Sequence, residues 1–147
     1  AFSQAGHDHA SMHAGSDSGY QAMKARGAVA MGVDQDRSTH KFTSLPDGGL
    51  IRLTSDVDDS AAIAAIRKHF SEIETAFAAG DFRIPAMVHA QEVPGTAVMT
   101  ARASAISYRR REVDRGAELR ITTRDKAALA AVHQFLLFQR TKHHAGQ

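Results

Sequence analysis

The sequence predicts an α+β protein in which two β-hairpin–helix (ββα) units form one four-stranded antiparallel sheet with two helices on one face. Two stretches with strand-like patterns are each split by a turn motif. A stripe of apolar residues with helical period follows each hairpin. The stretch AAIAAIRKHF (61–70) is similar to AALAAVHQFL (127–136), which predicts a pseudo-repeat of 38–80 and 105–144.

The first unit is predicted from a strand over 38–45, a Pro-Asp-Gly-Gly turn over 46–49 and a return strand over 50–55. Asp58 and Asp59 are suitable caps for the helix that follows, and Gly80 is a suitable stop. The apolar stripe of this helix has spacings of 3, 4, 3 and 4 and consists of Ile63, Ile66, Phe70, Ile73 and Phe77.

The second unit repeats the pattern with a strand over 105–113, a turn over 114–116 and a strand over 117–123. A helix is predicted from Asp125 to about Lys142. Its apolar stripe consists of Leu129, Val132, Phe135 and Leu136.

Alternation along the strands predicts which side chains face the helices. The helix-facing set is apolar and consists of Ile51, Leu53, Ile106, Tyr108, Leu119 and Ile121. The opposite set is Arg52, Thr54, Arg109, Arg111, Glu118, Arg120 and Thr122. The open face of the sheet is therefore expected to be rich in arginine.

The remaining segments are less regular. Residues 1–19 have almost no large apolar side chain, so we predict a mobile arm, and 20–33 is predicted as a short helix or an extended strap. Residues 81–104 are predicted to be irregular, with one or two helical turns over 96–104. The chain therefore divides into an arm and strap (1–33) and one α+β domain (34–147).

Composition excludes several classes of function. With no cysteine among 147 residues, there is no disulfide, thiolate metal site or thiol nucleophile. No apolar run is long enough for a membrane span. Nucleic-acid binding is not expected, because the net charge is only +2 and the open face offers no aromatic side chains for stacking. No phosphate loop or hydrolase motif is present, and no catalytic residue is predicted.

Histidine and methionine are concentrated in the arm. His7, His9, Met12 and His13 place four donors within seven residues. Imidazole nitrogen suits copper, zinc and nickel, and thioether sulfur adds a preference for Cu(I). The sequence therefore predicts an arm that binds a metal ion, with copper first and zinc or nickel as alternatives.

Histidines of the predicted domain are candidates to complete such a site. His40, on the first strand, is the preferred meeting point for the arm; His89 and the pair His143 and His144 are further candidate ligands. A second hypothesis is a small-ligand or metal-dependent catalytic site in 81–104, with His89, His40 and Glu92. A third is a homo-oligomer that uses the arginine face as its interface.

The chain begins Ala1-Phe2, as a mature protein does after cleavage by a signal peptidase. Together with the arm, this predicts a periplasmic or secreted protein. The stretches MGVDQDRSTHKFTSLPDGG (31–49), AAGDF (78–82), VPGTAVM (93–99) and VHQFLLFQRTKHH (132–144) also resemble a family of small exported bacterial proteins of uncharacterised function. The resemblance implies that Asp34, Gln35, Thr39, His40 and the 46–49 turn belong to a shared pattern, but it implies no fold, activity or ligand.

Overall fold

The structure is a computed structural model, and it describes residues 19–27 and 34–143. A helix covers 19–27 (α1). The elements that follow are a short 3-10 helix Gln35–Arg37, β1 (Ser38–Leu45), β2 (Gly48–Ser55), α2 (Ser60–Ala78), α3 (Arg83–His89), α4 (Thr96–Ala101), a 3-10 helix Ala103–Ala105, β3 (Ile106–Val113), β4 (Gly116–Thr123) and α5 (Lys126–Lys142).

The four strands form one antiparallel sheet in the order β1-β2-β4-β3. The two hairpins meet at β2 and β4, where Ile51 lies opposite Leu119. The predicted α+β fold of two ββα units is therefore confirmed. Each hairpin closes with a two-residue turn, and the second turn needs a left-handed residue, Arg115, at φ 58°.

Helices α2 and α5 cover the same face of the sheet, but each lies mainly over the strands of the other unit. Helix α2 packs on β3 and β4, whereas α5 packs on β1 and β2. The apolar side chains predicted to face the helices lie in this layer, and Leu53, Leu119 and Ile121 are fully buried there. The other face carries the predicted arginines.

Local chemistry fixes the ends of the two long helices. The carboxylate of Asp59 accepts hydrogen bonds from the amides of Ala61 and Ala62, and that of Asp125 accepts one from Ala128. These bonds satisfy amides that have no partner within the helix. Among the described residues, no helix is long and apolar enough to cross a membrane.

The prediction that 81–104 is irregular was wrong for its first part, because Arg83–His89 forms α3. Pro85 suggested an interruption, but it is the third residue of that helix. A proline there costs little, since the first amides of a helix have no carbonyl partner within it. The turns predicted over 96–104 are confirmed as α4 and the second 3-10 helix.

Candidate functional site

Four histidines from four different elements line one cavity in the helix layer. His40 comes from β1, His69 from α2, His89 from the last position of α3, and His143 from the residue that caps α5. The cavity has a volume of about 70 Å³. We call it the histidine pocket. At roughly 10–15 Å³ per water position, it has room for a few waters or one ion.

The imidazole rings are close to one another. The ring centroids of His40 and His143 are 4.9 Å apart, and those of His89 and His143 are 5.0 Å apart. Phe42 stacks on His40 at 5.4 Å and contacts His143 at 5.6 Å. His143, which terminates the last helix, is therefore the ring through which the first strand and α3 meet.

Two hydrogen bonds hold His89 in place, one at its own ring and one at the backbone of the preceding residue. Its Nε2 lies 3.0 Å from Oε1 of Gln139, and because that oxygen only accepts, Nε2 carries the proton and Nδ1 keeps its lone pair. The carbonyl of the preceding residue, Val88, accepts a hydrogen bond of 2.8 Å from Nε of Arg26 on α1. This arrangement, with one imidazole nitrogen held by an oxygen and the other left basic, is typical of metal-binding histidines.

His69 is the most enclosed member of the group. It is 7% exposed, and its Nδ1 is buried without a hydrogen-bond partner within the described ranges. A buried polar nitrogen without a partner is costly unless something binds it.

Burial keeps these imidazoles neutral. Together with a smaller effect of the neighbouring His69, it lowers the pKa of His40 to about 4. Burial also lowers the pKa of His69 to about 4, against a small opposing effect of Glu72. At pH 7 both rings therefore carry the lone pair that a metal ligand needs.

The rest of the lining is apolar. Apart from the histidines and the amide of Gln139, the cavity wall consists of aliphatic and aromatic side chains, four of which are Phe42, Phe70, Phe77 and Phe135. Within 19–27 and 34–143, no three His, Asp or Glu side chains already have their donor atoms gathered around one point. Binding an ion in the pocket would therefore require the rings to move from the positions seen here.

The structure brings together three of the predicted ligands, His40, His89 and His143. The arm ligands His7, His9, Met12 and His13, and also His144, lie outside the described residues. Glu92, the carboxylate of the second hypothesis, does not join the pocket. It is exposed and lines a separate depression beside α4.

The apolar stripe predicted for α2 did not include His69, and the structure places this residue on the buried face. Its spacing gives the missed signal, since it lies three residues after Ile66 and four before Ile73. His133 has a different role. Its Nε2 donates to the carbonyls of Leu45 and Gly48, at 2.8 and 3.1 Å, and so fastens α5 to the first hairpin turn.

The open face of the sheet carries a second basic cluster, which we call the arginine row. It crosses all four strands as Lys41, Arg52, Glu118 and Arg111. Glu118 is 4% exposed, and its two oxygens accept hydrogen bonds from Arg52 and Arg111. Burial alone would raise the pKa of Glu118, but these hydrogen bonds outweigh it and hold the pKa below its usual value.

Comparison with known proteins gives no family assignment. No family model, curated protein or solved structure matches the chain. The resemblance to small exported bacterial proteins therefore stays a prediction, and function has to be argued from the site.

Proposed function

We propose that the protein binds a copper ion, with the histidine pocket as the site in the folded domain and the arm as a second set of donors. The observation that carries this proposal is the meeting of His40, His89 and His143 with the buried His69 at one cavity. A carrier or buffer of copper is the role that fits such a site, and an exported location suits the histidine- and methionine-rich arm.

The ring spacing supports a shared ion. A metal lies about 2.0–2.1 Å from an imidazole nitrogen, so it is about 3.1 Å from the ring centroid. Two imidazoles on one ion, at a near-tetrahedral angle, then have centroids about 5 Å apart. The two measured separations are 4.9 and 5.0 Å.

The size of the cavity argues against the alternative of an organic ligand. Sites for small molecules usually have volumes of roughly 300–1,000 Å³. The histidine pocket, with about 70 Å³, is smaller and has room for a few waters or one ion. Copper leads over zinc and nickel because nitrogen sites bind divalent copper most tightly of the three and because the arm adds a thioether.

Metal titration of substituted full-length chains tests the proposal. In a chain whose arm donors His7, His9, Met12 and His13 are replaced, we expect one equivalent of copper to bind tighter than micromolar at pH 7. Replacing His40 with Phe and His143 with Gln in that background should weaken binding at least about 100-fold, since two ligands are lost.

His133→Gln is the matched control, because His133 lies on the same helix as Gln139 but outside the pocket. It should leave copper affinity unchanged. The proposal fails if the arm-substituted chain binds no copper, or if the His40 and His143 substitutions change affinity no more than the control does. Zinc and nickel titrations of the same chains test the choice of metal.

A further inference from the structure

The charges around the histidine pocket bear on which ion it holds. Its histidine side chains offer only imidazole nitrogen, which binds a metal as an uncharged ligand, and no carboxylate lines it among the residues that the structure describes. The cations of Arg26 and Lys142 are near enough to lower the pKa of His89, in addition to burial. Glu72, the carboxylate felt by His69, is exposed to solvent.

Ion charge has a strong effect in such a surrounding. The free energy of moving an ion from water into an apolar medium scales with the square of its charge, so a divalent ion loses about four times as much solvation as a monovalent one. Repulsion from Arg26 and Lys142 also doubles with the charge. Proteins usually offset these costs for divalent ions with carboxylate or thiolate ligands, and this pocket offers neither.

The number and type of donors point the same way. Zinc in structural sites takes four ligands, usually including anionic ones, and cupric copper prefers a tetragonal set of nitrogen and oxygen donors. The pocket presents three imidazoles at the ring cluster and one behind it, against phenylalanine side chains. A monovalent ion brings half of the charge of a divalent one into this apolar surrounding, so it loses less solvation there.

We propose that the histidine pocket is selective for cuprous copper, Cu(I), over Cu(II) and other divalent ions. This inference rests on the proposed function and goes further by naming the oxidation state. It follows that the bound ion has a raised Cu(II)/Cu(I) reduction potential. Each tenfold preference for Cu(I) raises that potential by about 59 mV, so a thousandfold preference raises it by about 180 mV.

Competition titrations on the full-length, arm-substituted chain test this selectivity. Cu(I) is measured without oxygen against bicinchoninate, and Cu(II) is measured against glycine. We expect the dissociation constant for Cu(I) to be at least about 1,000-fold lower than that for Cu(II). Equal or tighter binding of Cu(II) or Zn(II) would overturn the inference while leaving the proposed metal site standing, whereas absence of all metal binding would overturn both.

Gln139→Glu provides a second, nearly isosteric variant. Gln139 is buried and bonded to Nε2 of His89, so glutamate adds one negative charge beside a ligand with little change of shape. We expect the preference for Cu(I) over Cu(II) to fall at least about tenfold, with the protein still folded by circular dichroism. An unchanged preference in a folded variant would contradict the argument from charge.

Discussion

The histidine pocket and the arginine row show two ways in which one small domain holds basic side chains. In the pocket, imidazoles are enclosed by apolar side chains and remain neutral. In the row, guanidinium groups stay charged, lie partly in solvent and share the buried carboxylate of Glu118. Guanidinium cannot lose its proton, so it needs a counter-ion, whereas imidazole gives up its charge when it is buried. The first arrangement leaves imidazole nitrogens with the lone pair that the proposed copper site needs, and the second produces ion pairs.

The largest expected effect is the loss of stability at low pH, because acid protonates the imidazoles of the histidine pocket. Unfolded histidine has a pKa near 6.5, while His40 and His69 have folded values of about 4. The unfolded chain therefore binds protons first, so stability is complete above about pH 6.5 and is lost as the pH falls towards 4. We expect the free energy of unfolding of the metal-free protein to fall by about 4–5 kcal/mol between pH 7 and 4.5 if both histidines contribute independently.

Urea unfolding of wild type and His69→Phe across this range, with a chelator present, measures the effect. The variant should lose about half of the pH dependence. Carboxylates with lowered pKa values, including Glu118, also destabilise the protein in acid, but they do so equally in both proteins. Identical slopes for the two proteins would show that the pocket histidines do not titrate in the way described.

Removing the carboxylate of Glu118 should disrupt the ion pairs of the arginine row and leave the histidine pocket unchanged. Glu118→Gln keeps the shape of the side chain but leaves Arg52 and Arg111 without their buried partner. The arginines are 40% and 70% exposed, so water screens much of the loss, and we expect a destabilisation of about 1–2 kcal/mol.

Glu112→Gln is the matched control on the neighbouring strand, where the carboxylate is 59% exposed. Chemical unfolding at pH 7 should show that Glu118→Gln is clearly less stable than Glu112→Gln. Copper affinity should stay unchanged in both variants. Equal stability of the two variants would mean that the row contributes nothing beyond an ordinary surface pair.

The smallest effect is expected at Lys41, which follows His40 in the chain but lies on the opposite face of the sheet. Lys41→Gln removes one exposed charge, so stability should change by less than about 0.5 kcal/mol. Copper affinity should stay within about threefold of wild type by the same competition titration. A large loss of copper binding would show that a change on the open face of the sheet affects the histidine pocket on the other face.

Much of the fold could be predicted from the sequence because its signals are local. Alternation placed Ile51 and Leu119 on the covered face, and the spacing of Ile66, Phe70 and Ile73 defined α2. Helix α3 was missed because proline is read as a breaker unless its position within the first turn is known. Local patterns therefore give a wrong prediction where the effect of a residue, such as proline, depends on its distance from the start of the helix.

The pocket could be predicted only in part. His40, His89 and His143 were candidates by residue type, but their meeting depends on how β1, α3 and the end of α5 pack together. No spacing in the sequence encodes that arrangement. His69 was left out of the predicted stripe because it is polar, and its burial is a tertiary effect that the sequence pattern does not show.

The exchange of helices between the two units has a consequence for folding. Because α2 lies over β3 and β4 and α5 lies over β1 and β2, neither unit can cover its own hairpin. We expect half-length fragments to expose an apolar sheet and to aggregate or to pair with each other, and the whole chain to fold in one cooperative step. Because His40 and His143 lie near opposite ends of the domain in sequence, the pocket forms only when the last helix has docked. Under the proposed function, copper bound there would report that the last helix has docked on the sheet.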